Sequence, residues 1–207
     1  MRFAVVVFPG TWSDHDCQYV LRDVLGQQAD LVWHRDADLF GYDAVVRHAE
    51  AGKPVIGICN GFQILCESGL LPGVLMRNDS LQWRCQDAYL RTENANTSFT
   101  SELTPGQVIS IPISHGEGSY YADDATLDAL ESSGRVAFRY CDEEGEPTPE
   151  SNPNGSMRNI AGIVNEAGNV LGMMPHPERA GEALMGGTDG LLLWRSVIES
   201  GVATVAG

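Results

Sequence analysis

The chain has 207 residues, 43% of them hydrophobic, enough for one globular domain with a substantial core. Its 28 acidic residues against 13 basic give a formal charge of -15, which repels nucleic acid and anionic membranes and reads as a solvated, self-repelling surface. Five cysteines, an odd number with no C-x-x-C spacing, indicate neither a disulfide framework nor a zinc site, and reduced thiols in a cytoplasmic protein fit them.

The opening run Phe3 to Phe8 ends at Pro9-Gly10 and reads as a strand buried on both faces of a parallel sheet. It is too short for a membrane span and lacks the features of a signal peptide. Ser13 with Asp16 resembles a capping box, and Cys17, Val20, Leu21, Val24 and Leu25 follow helical spacing up to Gly26. Strands are expected at Leu31 to Trp33, Asp43 to Val46 and Val55 to Ile58, which makes the first third an α/β, doubly wound and mostly parallel sheet with flanking helices. Val74 to Leu90 and Val108 to Ile113 lack long helical patterns between them and are expected as a smaller antiparallel portion.

Asp123 to Ser133 reads as a short helix with Leu127 and Leu130 inward, and Val136 to Tyr140 as a strand. Asp142 to Asn159, rich in Glu, Pro, Asn and Gly, reads as a surface loop. Ile160 to Val164 and Asn169 to Met174 flank a four-residue turn and read as a hairpin. A last helix, capped by Thr188, should turn Leu191, Trp194 and Ile198 inward. No repeat or linker divides the chain.

Two motifs carry chemistry. Gly57-Ile58-Cys59-Asn60-Gly61 leaves a buried strand and enters a helical stretch, the layout of a nucleophile elbow with sulfur in place of oxygen. Glycines permit the sharp turn, and the helix N-terminus favours a thiolate. From the pentapeptide alone, a catalytic and a structural cysteine are both open. Late in the chain, Met174-Pro175-His176-Pro177-Glu178 places two ionisable residues on one side of an extended segment that Pro177 keeps from becoming helical. Glu178 can then orient His176, as the third member of a triad does, although an exposed loop is the alternative for this motif in isolation. His15, His34 and His48 have no partner at ligand spacing, so no metal is expected, and Cys66 reads as packing.

Together these motifs resemble the class I, or triad, glutamine amidotransferases. Three tracts, Cys59 to Leu65, Ser114 to Gly118 and Gly172 to Arg179, are similar to the glutaminase subunits of phosphoribosylformylglycinamidine synthases, and the likeness runs from Met1 through the final helix. The resemblance implies Cys59 as nucleophile, His176 as general base and then acid, and Glu178 as its orienter. It also implies Asn60 N–H as an oxyanion donor, with Gln63, Gly116 and Glu117 on the amino-acid end of glutamine. For His115, a structural hydrogen bond and a substrate contact are equally open. No cofactor is implied in this chain. ATP and Mg2+ belong to a synthetase subunit that receives ammonia through a tunnel, and a small accessory subunit completes the implied complex.

Family members also carry, before the helix that precedes Lys53-Pro54, a Pro-Gly-Gly loop that gives the second oxyanion donor. Here only the eight residues Arg47 to Pro54 separate two expected strands, too few for a crossover, so a chain break is expected between Val46 and Arg47. The missing loop keeps two rivals open: a non-catalytic docking homologue, and another elbow-cysteine hydrolase of similar fold.

Overall fold

The structure, a computed structural model, describes residues 1–35 and 41–205. The strand β1 (Arg2–Val7) pairs in parallel with β2 (Gln28–Trp33). Between them, α1 (Asp14–Tyr19) continues into a π-helical turn over Val20–Val24, and Gly26 ends it at φ 65°. Val20 and Leu21 are buried against Ala29 and Trp194, as their spacing requires. The expected capping box does not form: Ser13 has φ -105° and ψ 13°, away from the extended geometry that aims a capping hydroxyl, and its side chain makes no capping bond.

The largest correction concerns Asp43 to Val46, which is helix and not strand. The helix α2 (Gly41–Glu50) runs unbroken through Val46 and Arg47, and the Arg47 carbonyl accepts from Ala51 N–H at 3.0 Å. No break separates Val46 from Arg47. Val45 and Ala49, one turn apart, pack in the same core cluster while Arg47, His48 and Glu50 are exposed. The helical period is therefore visible only when residues beyond Val46 are read with those before it, because four apolar residues alone do not separate strand from helix. Asn169 fastens the end of α2, donating from Nδ2 to the carbonyls of Ala49 (2.8 Å) and Lys53 (3.0 Å).

The strand β3 (Val55–Ile58) turns at Cys59 into α3 (Asn60–Glu67). Of the antiparallel pairs that follow, β5 (Arg84–Thr92) with β6 (Val108–His115) is as expected, whereas β4 (Val74–Met76) pairs with a strand outside the expected ones, β7 (Ser119–Tyr121). Asp123 caps α4 (Asp124–Ser132) by accepting from Thr126 N–H at 2.8 Å, and Leu127 and Leu130 are buried. The strands β8 (Val136–Cys141), β9 (Ile160–Val164) and β10 (Val170–Met173) complete a six-stranded sheet in the order β3-β10-β9-β8-β5-β6. Within it β3 and β10 are parallel, the other pairs antiparallel, and β9 and β10 form the expected hairpin. The α/β class is the expected one, with helices around a central sheet and a small antiparallel sheet beside it, but the central sheet is mostly antiparallel: only β1–β2 and β3–β10 pair in parallel among the described residues.

In α5 (Gly190–Val205) Leu191 and Trp194 pack together as expected, and the buried face also takes in Leu193, Ser196 and Val197 while Ile198 is half-buried. The face is wider than expected because α5 serves two core clusters at once, Leu193 and Val197 in one and Leu191 and Trp194 in the other. Residues 142–159 are also less superficial than their composition suggests, because Asn154 and Ser156 are buried. Among the described residues no helix is long and apolar enough to cross a membrane.

Candidate active site

Cys59 sits at the strand-to-helix turn with φ 51° and ψ -107°, a strained conformation for a residue with a side chain. Its N–H donates to Met173 O at 2.8 Å, and its carbonyl accepts from Phe62 and Gln63, so the sheet and the helix hold it from both sides. Gly57 is required by close approach: a Cβ there would lie 2.6 Å from Gly61 O. A Cβ at Gly61 would meet open space, so only the first of the two elbow glycines is demanded sterically.

The neighbouring strand brings in the imidazole. Met173 pairs with Ile58, and the chain leaves β10 through Pro175 to His176, whose N–H donates to Pro112 O at 2.8 Å. His176 and Glu178 are fully buried, and His176 Nδ1 lies 2.5 Å from Glu178 Oε1. Burial disfavours the charged imidazole, but interactions with Cys59 and Glu178 outweigh it and hold the His176 pKa up to about 9. Nε2 is buried and its contact with the sulfur falls short of a geometrically good hydrogen bond. We take the interaction as electrostatic proximity, the loose arrangement usual before substrate arrives.

A cleft of about 470 Å³ opens over this group, lined by Cys59, Asn60, Gln63, His115, Gly116, Glu117 and His176, among others. Every candidate catalytic or substrate-binding residue except Glu178 therefore lines one pocket, and Glu178 stands behind His176. Asn60 is the first residue of α3 and donates from Nδ2 to Gln63 Oε1 at 3.1 Å, while Gln63 Nε2 donates to Glu117 O at 2.8 Å. The Cys59 sulfur is 3.9 Å from Ser114 O. Burial, and then the nearby His176, push the His115 pKa down to about 4, so this imidazole is neutral.

The sequence reading missed the cleft's aromatic rim. Trp12 and Trp83 meet edge to face at 5.8 Å between ring centroids, and Arg179 lies over Trp12 at 5.8 Å and ion-pairs with Asp16. It also missed Asn78 and Asn154, both fully buried beneath the Ser114 to Gly118 turn. No metal-ligand cluster of His, Cys, Asp and Glu occurs among the described residues.

Comparison with known proteins agrees with this geometry. Residues 2–187 match the family model described as the CobB/CobQ-like glutamine amidotransferase domain. The chain is 50% identical to phosphoribosylformylglycinamidine synthase subunit PurQ of Moorella thermoacetica, covering 96% of each chain. It is also 50% identical to the same subunit of Salinibacter ruber, covering 95% of each. Among solved structures, that of PurLQS from Thermotoga maritima superposes with a TM-score of 0.81 at 35% identity, covering 96% of this chain and 98% of that one.

Proposed function

Because this chain belongs to the CobB/CobQ-like glutamine amidotransferases, we propose that it is the glutaminase subunit of a phosphoribosylformylglycinamidine synthase, acting in purine biosynthesis. The observation that carries the reading is the meeting of Cys59 and His176, from two tracts far apart in the sequence, in one cleft, with Glu178 against His176 behind it. The half-identity to PurQ subunits over nearly their whole length supports the same conclusion.

The mechanism follows from the geometry. The Cys59 thiolate attacks the carboxamide carbon of glutamine, and the Asn60 N–H, at the positive end of α3, faces the oxygen that gains charge. His176 protonates the departing nitrogen, so ammonia leaves and a thioester remains. Water then gives a proton to His176 and its oxygen to the thioester carbon, which releases glutamate and restores the Cys59 thiolate beside a protonated His176. Glu178 keeps Nδ1 of His176 protonated and oriented throughout. Ammonia passes to an ATP- and Mg2+-dependent synthetase subunit, which converts formylglycinamide ribonucleotide to formylglycinamidine ribonucleotide, and a small accessory subunit completes the assembly.

A second reading, a docking homologue with little chemistry of its own, rests on positions that a relative has and this chain lacks. The alignment with the Moorella subunit extends over 226 positions, whereas 96% of 207 residues is about 199, so about 27 positions hold no residue of this chain. If one of two oxyanion donors is among them, the rate would fall on the order of 100- to 1000-fold. Ammonia release from glutamine, measured with and without the synthetase, separates the readings. Cys59→Ala should abolish glutamine-dependent synthesis while the same complex still uses added ammonium. Glutamine-dependent synthesis that survives this substitution would exclude the thioester route.

A further inference from the structure

The turn from Ser114 to Gly118 forms one wall of the cleft, and two buried carboxamides grip its backbone from different loops. Asn78, in the loop after β4, donates from its main-chain N–H to Gly116 O (2.9 Å) and from Nδ2 to His115 O (2.9 Å) and Gln82 O (2.8 Å). Its Oδ1 accepts from Gly118 N–H at 3.1 Å. Asn154, in the loop before β9, donates from Nδ2 to Gly118 O at 2.8 Å, while its Oδ1 accepts from Ser156 N–H (3.1 Å) and Oγ (2.8 Å).

Those bonds fix which end of the Asn154 amide is nitrogen. That nitrogen lies 3.0 Å from His115 Nε2 and 3.2 Å from Tyr140 Oη. An amide nitrogen only donates, so this contact is a hydrogen bond when the neutral ring carries its proton on Nδ1, which is buried and has no other partner; the two amide hydrogens serve three neighbours, of which Gly118 O is the nearest. The turn is thus held at His115, Gly116 and Gly118, on both sides of Glu117, whose carbonyl meets Gln63 of the elbow helix.

We propose that Asn78 and Asn154 are positioning residues that preset this wall for the amino-acid end of glutamine, an inference that rests on the glutaminase reading above. Neither holds the thiol or the imidazole, which the β3 and β10 strands support. A turn ordered before binding avoids the entropy of ordering it on each encounter, so its loss weakens substrate binding more than chemistry.

Asn154→Asp tests this, because the carboxylate keeps the shape but removes the donors to Gly118 O and His115 Nε2. In the complex of the full chain with its synthetase, KM for glutamine should rise roughly tenfold or more, with kcat within about threefold. Iodoacetamide, which needs only the thiol, should alkylate Cys59 at the wild-type rate. Asn78→Asp should behave alike. An unchanged KM, or equal losses in kcat and alkylation rate, overturns the inference, the latter meaning that the nucleophile itself has moved. Failure of both variants to fold and assemble would show that the asparagines serve the whole fold, and overturns it as well. A wild-type complex that releases no ammonia from glutamine would instead sink the parent reading.

Discussion

His176 shows how much one residue's surroundings decide. Its folded pKa of about 9 stands above the ordinary 6.5 because Cys59 and Glu178 favour the cation more than burial disfavours it. A raised folded value gives stability that is full below about pH 6.5 and is lost as pH rises through about 9. Glu178→Gln removes the carboxylate, so the wild type should exceed this variant in unfolding free energy at pH 6.5 by on the order of 1–3 kcal/mol, with the gap narrowing by about pH 10. Denaturant unfolding at both pH values checks it, and a gap that widens with pH would refute the pairing. The same variant should lose glutamine turnover on the order of 100-fold or more, and an unchanged rate would remove Glu178 from the triad. The meeting of Cys59, His176 and Glu178 was legible in the sequence because each lies in a short motif whose local geometry is restricted by proline or glycine. Asn78 and Asn154 were not, since a buried asparagine is recognised by the backbone groups that converge on it, and those come from elsewhere in the chain.

Among the elements, the elbow separates two glycines that look alike in sequence. At Gly57 a methyl group would meet Leu65 Cδ1 at 2.5 Å and Gly61 O at 2.6 Å, and backbone does not yield cheaply. Gly57→Ala should destabilise by about 1–3 kcal/mol and displace the start of α3. Gly61→Ala meets nothing and lies within the first turn of α3, so stability should be unchanged or rise by up to about 1 kcal/mol. Thermal unfolding of the two variants checks the contrast, and equal losses would mean that both glycines serve the turn. The opposite lesson comes from α2, whose sequence by itself reads as a strand plus a link too short to cross. Its helical character depends on Val45 and Ala49 facing one cluster together, and on Asn169 holding its end from a hairpin more than a hundred positions later.

Across the whole molecule, hydrogen bonding is uneven. The pair β1 and β2 forms a sheet of its own, whereas β5, β8, β9 and β10 each have two partners in the six-stranded sheet. A two-stranded pair is marginal without packing from other elements, so the β1–β2 unit should open more readily. Amide hydrogen exchange should be faster in Val5, Val6 and Leu31 than in Leu90, Phe138 and Ile163, and equal protection would show that the two sheets unfold as one. The α/β class and the strand-rich middle were legible from periodicity. The division of the strands into separate sheets was not, because pairing depends on which neighbour is present.

The pairing of β3 with β10 has a consequence for how the chain tolerates change. Cys59 and His176 lie more than half the chain apart, yet they leave the ends of adjacent parallel strands, in register from Val55 and Val170 to Ile58 and Met173. Their separation is therefore set by the distance between neighbouring strands, roughly 4.8 Å, and by a few residues of turn. Insertions and deletions between them, or before β3, alter loops without altering that interval. A lineage can shorten or lengthen the segments around such a site while nucleophile and base remain in reach, so variation in length falls first on substrate access and charge stabilisation.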